Sequence, residues 1–144
     1  MVPIWDRTNM IKLQQQPTGI TCTQTCLAML LDEPVEEVIK VCGNQGMSNI
    51  EIHIALDKFR FTWNALVYPS LLWAGYYLVS TPSLNIPGGM HCVLLETTDD
   101  DGIPKVYDPN EDKEGKLFYK KGITDIKSWS EAIYVYRGGR LPNK

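Results

Sequence analysis

Cys22 occupies a position in the sequence where a cysteine can serve as a nucleophile. An apolar run that starts at Cys22 predicts a helix, and the unpaired N–H groups and positive dipole at a helix start stabilise a thiolate. A thiolate attacks the carbonyl carbon of an amide or ester. Cys26 lies one turn further along the same face and is expected to be buried and unreactive. Taken alone, Cys22 has the alternative interpretation of a small buried apolar residue.

An amide side chain near Cys22 is suited to stabilise the oxyanion of such a reaction. Gln16 lies six residues upstream, and the loop between them contains Pro17 and Gly19, which let it fold back. A side-chain amide and the backbone N–H of the nucleophile together supply two donors to the oxygen. Gln14 and Gln15 directly precede Gln16, so either would take this place if the loop shifted by one or two residues.

His91 and Asp108 are predicted to meet at the end of a β-hairpin. His91 opens an apolar strand after Gly88-Gly89, and Asp108 closes the next strand, beyond a predicted turn at 99–102. His91 lies about nine positions before the turn centre and Asp108 about eight after it, so the strand ends should be neighbours. A carboxylate there fixes the imidazole tautomer and stabilises its cation. The alternative interpretations are a structural histidine and an ordinary Asp-Pro turn at a strand end.

Three helices are predicted in the first half of the chain, where they would position Cys22. Thr21 is expected to cap the first helix through its hydroxyl, and Pro34–Val41 suits a second helix that stops at Gly43. Ser48 and Glu51 form the Ser-x-x-Glu capping box of a third helix. The apolar stripe of this third helix consists of Ile52, Ala55, Leu56 and Phe59.

The second half of the chain is predicted to form strands, which would position His91 and Asp108. The alternating or aromatic runs that indicate strands are Tyr76–Ser80, Met90–Thr97, Ile103–Tyr107, Leu117–Tyr119 and Ala132–Tyr136. Helices first and strands afterwards indicate an α+β domain, with an N-terminal helical half packed on a C-terminal antiparallel sheet.

These residues resemble the motifs of the C39-type cysteine peptidases within the papain-like superfamily. The run Gln16-Pro-Thr-Gly-Ile-Thr-Cys22-Thr-Gln-Thr-Cys-Leu-Ala-Met-Leu is similar to the start of that family, and His91-Cys-Val-Leu-Leu and Asp108-Pro109 match its later elements in order. The resemblance implies a papain-like fold in which Cys22 is the nucleophile, His91 the base, Asp108 the orienting residue and Gln16 the oxyanion donor. It also implies a peptide or protein substrate, no cofactor, and a small stand-alone protein of bacterial or phage type.

The sequence departs from the family pattern around the nucleophile. Thr21, Thr23 and Thr25 stand where the family typically has Asp, Gly and Ala. Two alternatives to a peptidase therefore stay open. The same thioester chemistry serves a deamidase, a transglutaminase or an isopeptidase, and a non-catalytic binding or inhibitor protein of phage origin would keep the fold without turnover.

Length, composition and charge narrow the function classes. The chain has 144 residues, 44% of them hydrophobic, and we interpret residues 1–144 as a single domain. With 14 Lys+Arg against 17 Asp+Glu, the net charge of −3 argues against a binder of duplex nucleic acid. No run approaches the roughly 18 apolar residues that a membrane span needs. The N-terminus lacks the pattern of a secretory signal, so a cytoplasmic location is expected; the oligomeric state stays open.

The cysteine and histidine counts restrict the chemistry further. Four cysteines without an export signal indicate reduced thiols, and without a Cys-x-x-Cys pair they do not predict a metal site. Two histidines are present. His53 lies beside the apolar stripe of the third helix and is expected to be a surface or boundary residue, which leaves His91 as the base. Lys113–Lys121 is expected to form a solvated hairpin, and the tail from Arg137 onwards is expected to be loose.

Overall fold

The helices and strands follow the order that the sequence predicts. A computed structural model of the protein describes residues 11–66, 74–97, 105–119, 131–137 and 139–142. Within these ranges three helices come first and five strands follow. The helices are α1 (Cys22–Leu31), α2 (Val35–Cys42) and α3 (Asn49–Lys58). The strands are β1 (Thr62–Leu66), β2 (Gly75–Pro82), β3 (Met90–Thr97), β4 (Lys105–Tyr107) and β5 (Glu131–Arg137). This order confirms the α+β class.

The ends of the helices agree with two of the three predicted signals. The Ser48 hydroxyl accepts a hydrogen bond from the Glu51 N–H at 3.2 Å, and the Glu51 carboxylate accepts one from the Ser48 N–H at 3.0 Å. This capping box starts α3 as predicted. Gly43 ends α2 with a φ of 81°, a value that glycine adopts without strain. The predicted Thr21 cap is wrong, because the Thr21 hydroxyl pairs with Thr18 and makes no capping bond to α1.

The five strands form one antiparallel sheet in the order β1-β5-β2-β3-β4. β2 and β3 pair along their whole length, with Thr81 opposite His91. β5 comes last in sequence but lies between β1 and β2. The predicted hairpin partner of β3 is present as β4, which pairs Leu94 with Tyr107. The predicted turn at 99–102 lies outside the described residues.

Two strand assignments differ from the prediction. β1 is not predicted from the sequence, because its residues are half-buried or exposed and show no clean alternation of apolar and polar side chains. The predicted strand Leu117–Tyr119 is wrong, since this segment is irregular. Tyr119 instead donates its N–H to the Asp108 carboxylate at 2.7 Å and its hydroxyl to the Pro82 carbonyl at 2.7 Å. Its backbone N–H therefore bonds a side chain and not a neighbouring strand.

The helices cover one face of the sheet and bring α1 against β3. α1 is buried from Thr23 through Leu31, which is why its sequence lacks a polar face. The helical face of the sheet contributes Cys92 and Leu94, among other residues, to the core that α1 shares. A second apolar cluster, which includes Val93 and Leu95, lies on the opposite face. Packing of α1 on β3 therefore places the start of the helix beside the start of the strand.

The chain near its C-terminus is anchored where it is described, so the expectation of a loose tail is wrong for residues 139–142. The Arg140 N–H donates to the Phe59 carbonyl at 2.8 Å, and Leu141 is buried in the core. Gly139 lies so close to its neighbours that a Cβ would stand 2.5 Å from the Phe59 carbonyl oxygen and 2.8 Å from the Phe61 ring. Position 139 therefore requires glycine because any side chain would collide with these neighbours, and not because of its backbone dihedral angles.

None of the helices in the described ranges is long and apolar enough to cross a membrane.

Replacing Gly139 with alanine should lower the free energy of unfolding by about 1–3 kcal/mol, because the added methyl group must displace backbone or a packed ring. Gly19→Ala is the matched control, since a Cβ at Gly19 meets nothing within 4 Å. Urea denaturation of both variants measures the difference. Equal stability of the two variants would contradict the close packing of Gly139.

Candidate active site

Cys22 is the first residue of α1, and its thiol faces the start of β3. The sulfur accepts a hydrogen bond from the backbone N–H of Cys92 at 3.4 Å. One turn further along α1, the Cys26 thiol donates to the carbonyl of the same residue, Cys92, at 3.5 Å. The two bonds attach α1 to β3 at the residue that follows His91.

His91 and Asp108 form a buried pair at the end of the β3–β4 hairpin, as the sequence predicts. The His91 Nε2 and Asp108 Oδ1 atoms are 2.6 Å apart, and the two side chains are 7% and 1% exposed. Asp108 also accepts the N–H of Asn110 at 2.8 Å and that of Tyr119 at 2.7 Å. Because Nε2 is engaged by Asp108, Nδ1 is the ring nitrogen that remains for the hydrogen bond between His91 and Cys22.

The thiol and the imidazole shift each other toward an ion pair. Burial by itself raises the pKa of Cys22, but the hydrogen bond and positive charge of His91, with donors from Cys92 and Thr23, lower the pKa below that of an ordinary thiol. Burial by itself lowers the pKa of His91, but hydrogen bonds to Asp108 and Cys22 and their negative charges raise it to about 10. Both shifts favour the ion pair of thiolate and imidazolium over the neutral thiol and imidazole.

Cys26 behaves differently although it lies on the same helix. It is fully buried, and burial together with the neighbouring sulfur of Cys92 raises the pKa of its thiol well above the ordinary value. The prediction that Cys26 is buried is confirmed, and its high pKa keeps it in the unreactive thiol form.

The three consecutive glutamines have separate partners. Gln14 binds the connection between α1 and α2 and the first residue of α2, because its Nε2 donates to the Glu33 carbonyl at 2.7 Å and its Oε1 accepts the Val35 N–H at 3.0 Å. Gln15 is exposed and donates to the Glu111 carbonyl at 3.1 Å. Gln16 is 2% exposed. Both polar ends of Gln14 are therefore in use elsewhere, and Gln16 is the buried amide nearest the Thr18–Thr21 turn.

Gln16 is linked to the residue before Cys22 by hydrogen bonds and is not part of the cleft wall. Its Nε2 donates to the Thr18 carbonyl at 2.8 Å, and Thr18 in turn pairs with Thr21, directly before Cys22. Its Oε1 is buried without a hydrogen-bond partner among the described residues. The structure thus brings Cys22, His91 and Asp108 together, whereas Gln16 contacts the loop before Cys22 and is not among the residues that line the cleft.

A cleft of about 430 Å³ opens above the thiol and the imidazole. Its walls come from the loop before α1, the segment from Gly46 into α3, and the start of β3 with the loop that precedes it. The lining residues are Gly19, Ile20, Cys22, Thr23, Gly46, Met47, Ser48, Asn49, Ile52, Ser80, Ile86, Met90, His91 and Cys92. Apart from His91, no lining residue in the described part of the chain carries an ionisable side chain other than the cysteines. The cleft is thus neutral, with exposed aliphatic side chains at Ile20, Ile86 and Met90.

His53 does not line the cleft. It lies in the middle of α3 and is half-buried, in agreement with the predicted boundary position. Its ring stacks on Trp63 at 4.7 Å, and its Nε2 is 3.2 Å from Glu131. Within the described ranges, no group of three or more His, Cys, Asp or Glu side chains is arranged to hold a metal ion.

Sequence reasoning missed several donors that complete the site. The Asn110 N–H belongs to an Asx turn, a pattern that Asp-Pro-Asn signals and that could have been found. The Tyr119 N–H, the Cys92 N–H and the Thr23 hydroxyl have no signal in the sequence, because each reaches its partner only through the packing of separate elements or the rotamer it adopts.

The fold is similar to that of a peptidase domain of known structure. The structure is similar to the peptidase domain of ComA from Streptococcus, a bi-functional ABC transporter involved in a quorum sensing pathway. The TM-score is 0.62 with 14% sequence identity, over 89% of this chain and 99% of that domain. Comparison of the sequence with protein-family models and with curated proteins gave no match. The similarity therefore establishes the fold and leaves the activity to be argued from the site.

Cys22 is expected to react with iodoacetamide at lower pH than Cys42 does. The pKa of Cys22 is lowered by His91, whereas burial raises the pKa of Cys42 although Lys58 opposes this. Mass spectrometry of the alkylated peptides across pH gives a midpoint for each thiol in one sample. His91→Ala should move the Cys22 midpoint upward and leave that of Cys42 in place; coincident midpoints in the parent protein would contradict the ion pair.

Proposed function

We propose that the protein is a cysteine peptidase of C39-like type that cleaves peptide bonds through Cys22, His91 and Asp108. The observation that carries this proposal is the pairing of a helix-start thiol with an imidazole that a buried carboxylate orients, at the base of an open cleft. The peptidase fold supports it, because the similar domain is also a peptidase.

The geometry suits a two-step reaction. The Cys22 thiolate attacks the scissile carbonyl carbon, and the His91 imidazolium gives its proton to the leaving amine as the C–N bond breaks. The resulting thioester is then attacked by water, whose proton passes to His91 as the C–S bond breaks and the thiolate leaves. Asp108 holds the His91 ring in one tautomer through both steps.

Two donors are proposed to stabilise the tetrahedral oxyanion. Cys22 is the first residue of α1, so its backbone N–H has no helical carbonyl to bond. Gln16 is proposed to supply the second donor: its amide, which donates to the Thr18 carbonyl in the structure, turns toward the cleft when substrate binds. Its buried position keeps water away from this amide, which strengthens any bond that it makes.

The threonine that follows the nucleophile supports a catalytic protein over a non-catalytic one. Thr23 stands where the family typically has glycine, and its hydroxyl donates to the Cys22 thiolate and helps to lower the pKa of Cys22. The substitution therefore adds a donor to the reactive sulfur and leaves the His91–Asp108 pair intact.

Cys22→Ala should abolish cleavage of peptides, with a fall of at least about 10⁴-fold in kcat, because no other group can form the thioester. Cys42→Ala is the control that removes a thiol elsewhere and should retain activity. New peptide termini, detected by mass spectrometry after incubation with a proteome-derived peptide library, measure turnover. A one-dalton mass gain or a crosslink without new termini would point instead to a deamidase or a transglutaminase, and a full biological effect of Cys22→Ala to a binding protein.

The neutral cleft predicts a preference for uncharged aliphatic residues beside the scissile bond. Met90 is 53% exposed at the cleft, so Met90→Glu should fold normally yet place a carboxylate against the substrate. We expect kcat/KM for an aliphatic peptide to fall about tenfold or more. Leu117→Glu is the matched control, because Leu117 is 63% exposed and lies outside the cleft. An equal loss in both variants would show that charge at the cleft has no specific effect.

A further inference from the structure

The turn that follows β4 contacts two separate parts of the site. Asp108 begins this turn and holds His91. Five residues later, the Lys113 ammonium donates to the backbone carbonyl of Gln16. The predicted solvated hairpin at Lys113–Lys121 is confirmed only in part: residues 114–117 are exposed, but the described residues 113–119 form no strand and Lys113 is half-buried.

Two more hydrogen bonds join the same two segments. The Gln16 N–H donates to the Pro109 carbonyl at 2.9 Å, and the Gln15 side chain donates to the Glu111 carbonyl at 3.1 Å. Gln16 is thus held at both its N–H and its C=O by one turn. The contacts are 93 residues or more apart in sequence, so they depend wholly on the tertiary fold.

The turn itself is suited to hold Gln16 in a fixed place. The Glu111 N–H donates to the Asp108 carbonyl at 2.9 Å, and the Lys113 N–H donates to the Asn110 carbonyl at 3.0 Å. Successive bonds of this kind leave the turn few alternative conformations. A charged donor also makes a stronger bond to a carbonyl than a neutral donor does.

We propose that Lys113 is a positioning residue, which fixes the Gln16–Pro17 peptide plane and so sets the place from which the Gln16 side chain reaches the oxyanion when substrate binds. This inference rests on the proposed function. Lys113 touches neither the thiol nor the cleft, and it acts through Gln16 alone. The orientation of His91 has its own support in Asp108, Asn110 and Tyr119, so loss of the Lys113 ammonium should leave the ion pair in place.

The test compares Lys113→Met with Lys113→Arg and with Lys116→Met, an exposed lysine three residues away. Turnover requires the oxyanion donor, whereas alkylation of Cys22 requires only the thiolate. Lys113→Met should therefore lower kcat roughly tenfold, less than the 10²–10³-fold loss of a whole oxyanion donor. KM and the pH midpoint of Cys22 alkylation should stay at parent values. Lys113→Arg should restore most of kcat, and Lys116→Met should match the parent.

Three results would overturn the inference. Parent-like kcat in Lys113→Met would show that Gln16 does not need this bond. A kcat loss accompanied by a shifted Cys22 alkylation midpoint would show that Lys113 acts on the His91–Asp108 pair. Failure of the parent protein to cleave any peptide would remove the proposed function and this inference together, an outcome distinct from an active parent with an equally active variant. If Lys113→Met does not fold, Lys113→Gln provides the same comparison with a shorter neutral donor.

Discussion

The hydrogen bond between His91 and Asp108 is the interaction on which the rest of the site depends. Both side chains are removed from water, and an unpaired carboxylate in such a place would be costly. Asp108 avoids this cost by accepting three hydrogen bonds, two of them from backbone N–H groups, which do not titrate. The carboxylate raises the pKa of His91, and the positive imidazole in turn lowers the pKa of Cys22 against the opposing effect of burial. One buried negative charge on a strand end thereby sets the ionisation of a thiol on a helix.

Several contacts of the surrounding fold hold the thiol, the imidazole and the carboxylate in place relative to one another. Cys92 uses its N–H and its carbonyl to bind the two thiols of α1, so the helix cannot slide along β3 without breaking both bonds. The fully buried side chains of α1 reinforce this, because any shift would disturb the close packing of the core. The sheet order matters as well: with β3 between β2 and β4, the strand that carries His91 is paired on both sides.

The three threonines around Cys22 take part in local hydrogen bonds. Thr21 pairs with Thr18 before the helix, Thr25 donates its hydroxyl to the Thr21 carbonyl at 2.8 Å within it, and Thr23 donates to the thiolate. Departures from a family pattern at these positions therefore leave the helix start ordered and its thiol activated. Thr23 also gives the cleft beside Cys22 a hydroxyl where the family typically has glycine, in keeping with the neutral lining of the cleft.

Local patterns determined much of the secondary structure and singled out Cys22, His91 and Asp108, which the structure brings together. The capping box at Ser48, the glycine stop of α2 and the β3 strand all follow from residues within a few positions of each other, and the hairpin symmetry placed Asp108 beside His91. Tertiary structure alone decided the rest. Four features depend on contacts between residues distant in sequence: the half-exposed strand β1, the irregular segment at Tyr119, the close contact at Gly139 and the Lys113–Gln16 bond. Periodicity and spacing report only what lies within one element, whereas these contacts exist because separate elements pack and their polar groups must find partners.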